Sequence, residues 1–163
     1  MLTVLQEQLG ETHGLAISAS EAVDKVESRL LEHRLRFRLD ELRLDASETR
    51  ARCLDVERRF GEELAAEILA HANTIGEKAA DLAGSWFKAG TGPLAAWGFL
   101  AMGEAGEVVA WSALRSLAQR HGDARVTELA EWGLGVQERH LAVALEGAAE
   151  LAERFEPAAP RWG

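Results

Sequence analysis

Four side chains with donor or acceptor atoms interrupt two otherwise apolar helical stripes in the last third of this sequence: Glu104 and Glu107 before Gly122, Gln137 and His140 after it. Read backwards from Gly122, the first stripe is Leu117, Leu114, Ala110, Glu107, Gly103, Leu100; read forwards, the second is Val126, Leu129, Gly133, Val136, His140, Val143, Gly147. Both alternate steps of three and four residues, the period of an amphipathic helix. Glu107 and His140 therefore stand where leucine is expected, and Glu104 lies one turn from Glu107 on the same face. With a turn near Gly122, antiparallel neighbours at one height have residue numbers summing to about 244. That register sets Glu104 opposite His140 and Glu107 opposite Gln137. Carboxylate oxygens and an imidazole nitrogen brought together in this way suit iron, manganese or zinc. A buried carboxylate needs a cation, a proton or a strong donor. Two arrangements without metal meet the same need: His140 and Gln137 can themselves be the donors, or Glu104 can sit at the rim in water.

The elements that must position these groups are all helical. Leu2, Leu5, Leu9, Thr12, Ala16, Ala19, Val23, Val26 and Leu30 form an uninterrupted stripe, flanked by His13, in a first helix that Gly10 and Gly14 should weaken or bend. The pattern shifts around Glu32 to Arg34 and restarts as Leu35, Leu39, Leu42, Ala46, Thr49, Cys53, Val56, Phe60. The join is short, so the second helix should run antiparallel to the first. After Gly61, a third segment runs from Leu64 to Trp86 and carries His71 on its apolar face. KAGTGP then breaks the chain, with Thr91 as the expected N-cap and Pro93 in the first turn. The fourth helix is expected from about Pro93 to Gln119 and the fifth from about Ala124 to Glu153, with Asp123 as its cap. Gly103, Gly106, Gly133, Gly135 and Gly147 fall inside these two helices, which points to close helix approach around Trp97, Trp111 and Trp132.

Composition bounds the function classes. A chain of 163 residues with 47% hydrophobic content supports one core, read here as a single domain over residues 1–156 with a short tail over 157–163. The net charge of −9 argues against non-specific nucleic-acid binding. Nine of the fifteen arginines fall between Arg29 and Arg59, but seven acidic residues are interleaved, with Arg36 and Asp40, and Glu48 and Arg52, at i,i+4 spacing; this reads as a salt-bridged face. A single cysteine, Cys53, excludes an internal disulfide and a CxxC knuckle. The N-terminus lacks a basic region leading into an apolar run, and no segment approaches a membrane span, so a cytoplasmic protein is expected. Cys53 lies on a core stripe and Ser112 has no partner at motif spacing, which leaves nucleophilic hydrolysis unsupported. Trp86 and Phe87 are open to two readings, a dimer contact or ordinary packing at a helix end.

Three segments, LDASETRARCLDVERRFG, FLAMGEAGEVVAWSAL and VQERHL, set in five helices from Leu2 to Phe155, resemble the ferritin-like superfamily, in particular small bacterial YciF-like stress proteins. The resemblance implies an all-α antiparallel bundle of four long helices plus a crossover helical segment. It also implies a two-metal carboxylate centre in mid-bundle. By position, Glu104 and Glu107 match the acidic pair of the fourth helix, Gln137 and His140 the spacing of the last helix, and Glu48 the second-helix glutamate. The chain departs from that pattern: the first-helix stripe offers Thr12, Ala16, Ala19 and Val23 and no carboxylate, Glu21 faces away, Glu48 is one residue off its stripe, and there is no tyrosine. A single iron or manganese ion, with iron or peroxide handling, is one expectation. A degenerate, metal-free bundle acting through self-association, as a dimer, or through a protein partner is another. A third places a small apolar ligand in a cavity beside Trp97 and Trp111.

Overall fold

Thr3 begins the first helix with a reciprocal cap: its hydroxyl accepts from the Gln6 backbone N–H, and the Gln6 side chain accepts from Thr3 N–H at 2.9 Å. Two of the donors that a helix start leaves unpaired are thereby satisfied. From there α1 runs over Val4–Glu27, unbroken through Gly10 and Gly14. α2 spans His33–Glu57 and tightens into one 3-10 turn, Arg58–Phe60, which ends at Gly61 with φ of +92°. α3 is Glu62–Trp86, α4 Pro93–His121 and α5 Ala124–Ala152. The computed structural model describes residues 1–31 and 33–158; Glu32, where the pattern shifts, and residues 159–163 of the expected tail lie outside the described residues. Among the described residues there is no strand, in keeping with the all-α class.

The two connections that bound α4 differ in how well the sequence announced them. Its N-cap is Gly92 and not Thr91, with Pro93 taking the first helical position, where a missing N–H is harmless. The Thr91 hydroxyl instead accepts from Lys88 N–H at 2.9 Å and donates to the Trp86 carbonyl at 3.2 Å, closing the loop on itself. At the other end Gly122, at φ +82°, caps α4 in the left-handed conformation that favours glycine. Asp123 then accepts from the N–H groups of Arg125 and Val126, both at 3.1 Å, as its position predicted.

Four helices close a ring in which α1 and α5 each pack against both α2 and α4. Contact pairs give the directions. Asp24 meets Arg43 while His13 meets Glu57, so α1 and α2 are antiparallel. Arg38 approaches Glu150, Asp45 meets His140 and Arg52 covers Trp132, so α2 and α5 are antiparallel too. α4 and α5 are antiparallel across Gly122. α3 lies outside the ring against α1 and parallel to it: Gly10 touches Ile68 and His71, and Gly14 touches Ala72 and Ile75. It carries the chain back along the bundle, so that α4 starts from the same end as α2.

Along the ring helices, polar residues, all but Asp45 buried, separate two apolar clusters. One cluster gathers Leu9, Cys53, Trp111, Leu114 and Leu129; the other gathers Val26, Leu35, Leu39, Trp97 and Leu151. Between them stand Thr12 and His13 of α1, Asp45 and Thr49 of α2, Glu104 and Glu107 of α4, and Gln137 and His140 of α5. Two tryptophan–glycine locks hold α4 to α5. A Cβ added at Gly133 would lie 2.4 Å from the Trp111 ring, and one at Gly147 would lie 2.3 Å from the Trp97 ring. Trp97 also donates its indole N–H to the Ala144 carbonyl at 2.6 Å. The expected cavity beside Trp97 and Trp111 is thus filled by the rings themselves. Gly103, Gly106 and Gly135 do not share this role, since a Cβ there meets nothing within 4 Å. The glycines expected only to weaken the first helix do have it: a Cβ at Gly14 would stand 2.4 Å from the Ala72 carbonyl of α3.

Gly133→Ala should therefore lower stability by about 1–3 kcal/mol through overpacking against Trp111. Gly135→Ala, with open space around it, should raise it by up to about 1 kcal/mol through helix propensity. Urea denaturation of the two variants beside the parent checks this, and a neutral Gly133→Ala would refute the lock.

Candidate functional site

The turn at Gly122 brings the four sequence-predicted residues of α4 and α5 into the expected register. Gln137 Nε2 donates to Glu107 Oε2 at 2.7 Å. His140 Nδ1 stands 3.4 Å from Glu104 Oε2, an ion-pair contact without an aligned hydrogen bond. All four side chains are buried. The other imidazole nitrogen, Nε2, lies 2.9 Å from Asp45 Oδ2, so His140 bridges α4 and α2 with a carboxylate on each ring nitrogen. Asp45 is partly exposed and has Arg139 at 3.7 Å on its outer side.

Glu48 is not part of this group. It is half exposed and accepts twice from its i+4 neighbour Arg52, at 2.9 Å and 2.7 Å, because a residue one step off a buried stripe turns about 100° away from it. Thr49 takes the inward position and bonds its own helix, donating to the Asp45 carbonyl at 2.7 Å. Of the expected arginine pairs, Glu48–Arg52 forms, while Arg36 donates to the Leu30 carbonyl at 2.6 Å and Asp40 pairs with Arg43. Trp132 lies beneath Arg52, 4.2 Å from guanidinium to ring, instead of filling space at a glycine. Trp86 and Phe87 both pack on Phe99, the helix-end reading of that pair.

A second buried polar pair has no sequence signal as direct. His13 Nδ1 and Glu57 Oε1 are 2.7 Å apart, each residue about 1% exposed, joining α1 to the end of α2. Glu57, like Asp45, sits one residue beside an apolar stripe position. Such flanking positions are the signal that finds both, provided that each helix is allowed two inward-facing columns. His71 stays apart, half-buried against Gly10 on the contact between α1 and α3.

Electrostatics follow from burial. Glu107 is pushed well above the usual carboxyl range, first by desolvation and then by the charge of Glu104. Burial alone would drive His140 to lose its proton, but Glu104 and then Asp45 more than offset it and raise its pKa above the ordinary imidazole value. The Cys53 thiol is pushed up by burial and by the nearby charges of Glu57 and Glu107, which leaves it unreactive as a nucleophile.

As a metal site, this donor set is engaged with itself. Both nitrogens of His140 face carboxylates and Glu107 already accepts from Gln137. Among the described residues, no group of three or more His, Cys, Asp or Glu side chains converges to hold an ion. The arrangement therefore does not fit a resident two-metal centre. It does leave Glu104 Oε2, Glu57 Oε2 and Gln137 Oε1 buried without a hydrogen-bond donor or partner. Set against known proteins, the chain matches no family model, no curated protein and no solved structure. No helix among the described residues is long and apolar enough to cross a membrane.

Two native pKa values raised above their unfolded values make the fold acid-favoured in this layer. The Glu107 contribution is fully present below the ordinary 4.5 and is lost as pH rises through its higher native value. The His140 contribution is present below the ordinary 6.5 and is lost above it as the imidazolium deprotonates. Glu107→Gln mimics the neutral acid, keeps an acceptor for Gln137 and should raise stability near pH 8 by about 1–3 kcal/mol. Urea titrations at a series of pH values check both statements: the parent should lose stability between about pH 5 and 8, and the variant should lose less.

Proposed function

We propose that this protein is a ferritin-like four-helix bundle that works as a binding module, its polar layer held together by hydrogen bonds and ion pairs in place of a metal centre. The observation that carries this reading is the Asp45–His140–Glu104 chain, in which one imidazole uses both nitrogens to tie three helices. The ring order and the direction of each helix, with α3 as the return segment between two hairpins, support the ferritin-like part. Phe37 and Leu44, seven residues apart and both exposed on α2, offer a face for self-association into a dimer.

A specific observation favours a second reading, a divalent ion such as iron or manganese in the same layer with a part in iron or peroxide handling: Glu104 Oε2 is buried and makes no hydrogen bond. Glu104, Glu107 and His140, with Gln137 beside them, are the residues that would hold it, and Gln137 would have to leave Glu107 first.

Elemental analysis of protein purified without a chelating tag, with thermal denaturation in added Fe²⁺, Mn²⁺ or Zn²⁺, decides between them. The proposed function expects no stoichiometric transition metal and no shift in melting temperature. One equivalent of metal, lost in Glu104→Gln together with a metal-induced rise in melting temperature, would establish the second reading and overturn the first.

A further inference from the structure

α2 turns its flanks to two neighbours and leaves its outer face bare. Arg43 pairs with Asp24 and Glu27 of α1, and Asp45 with His140 of α5, so the stripe Arg34, Phe37, Glu41, Leu44, spaced by three and four residues, points away from both. All four residues are exposed, Phe37 by 66% and Leu44 by 72%, and Leu31, just before the helix, by 89%. Arg38, Asp40, Arg43, Asp45 and Glu48 each have an ion-pair partner within the chain. Among the described residues Arg34 and Glu41 have none. Seven apart, they are not the i,i+3 or i,i+4 neighbours that pair on one helix.

Outwards from Phe37 the stripe mirrors itself in shape and inverts in charge. Leu31 lies six residues before Phe37 and Leu44 seven after it; Arg34 lies three before and Glu41 four after. Both pairs share one midpoint, so a single antiparallel register serves both. We propose that a second copy of this chain covers the face, α2 packing antiparallel on α2 about a two-fold axis beside Phe37. Leu31 then faces Leu44 of the second copy, Arg34 faces Glu41 of the second copy, and the two phenylalanines meet at the axis. The proposal rests on the reading of α2 as a self-association face and gives that face its partner and register. Charge selects the occupant: an unpaired cation and an unpaired anion on opposite sides of an aromatic centre are answered by the same stripe turned end for end. Such an interface uses the same patch on both copies and closes at two. Glu146 and Glu150 of α5 stand at its rim, with Arg38 3.9 Å from each. One helix face is small beside the roughly 1,600 Å² of a standard interface, so the dimer is a weak one that forms with concentration.

Sedimentation-velocity ultracentrifugation of the full chain over a concentration series tests this. The parent should pass from monomer to dimer, and no further, as concentration rises through about 10–100 μM. Phe37→Ser alters an exposed position, so it should keep the helical circular dichroism of the parent while weakening the dimer by about tenfold or more. Arg34→Glu and Glu41→Arg each set like charges against one another in both pairs, and each should weaken the dimer about tenfold. An equimolar mixture of these two variants re-forms both pairs in a heterodimer and should recover the parent affinity. A dimer indifferent to the charge reversals, or one that the mixture fails to restore, overturns this geometry and leaves self-association in another register standing. A parent that stays monomeric at about 1 mM overturns self-association through α2 as well.

Discussion

Three helices meet at His140, because its imidazole stands between the carboxylates of Asp45 on α2 and Glu104 on α4. Burying a carboxylate without a donor carries a large desolvation penalty, and burying two on consecutive turns of one helix compounds it by like-charge repulsion. The layer resolves this in two ways. Glu107, its pKa raised by burial, accepts from Gln137, while Glu104 faces an imidazole whose protonated form it and a second carboxylate favour against the cost of burial. Neither solution works unless α4 and α5 keep their register, which makes the Gly122–Asp123 turn and the two tryptophan–glycine locks part of the electrostatics as well as of the packing.

Glycine has two opposite uses in this bundle. At Gly10, Gly14, Gly133 and Gly147 its missing side chain lets a neighbouring backbone or indole ring come into contact. At Gly103 and Gly106 nothing comes in, and the space is left as the floor of a groove. The placement of α3 decides which use applies on the outer side of α4. It packs closely on α1 through Gly10, Gly14 and Gly76, yet approaches α4 chiefly at one end, where Trp86 and Phe87 meet Phe99. Between the close side and the open side lies a groove lined by Leu15, Ala83 and Phe99 among others.

His13 and Glu57 form a separate tie at another part of the core, joining α1 to α2. Burial and the nearby carboxylates favour the thiol form of Cys53, and the interior carries titratable groups on all four ring helices. The polar groups of this layer are directed at one another.

The helices, the α4–α5 turn and the facing pairs Glu104–His140 and Glu107–Gln137 were legible in the residues alone. Periodicity reports which face of a helix is buried, and a tight turn with a left-handed glycine and an aspartate cap leaves the two helices beside it a single register. What α2 contributes was not legible. Glu48 and Asp45 flank the same stripe, and choosing between them requires the rotation of α2 about its axis relative to α5, which no turn connects to it. The same holds for His13 with Glu57, for glycines that lock or stay open, and for the groove that α3 leaves beside α4. Neighbours along the chain inherit their geometry from the link between them; helices distant in sequence find their rotation, tilt and spacing only when all the side chains of the core are packed at once.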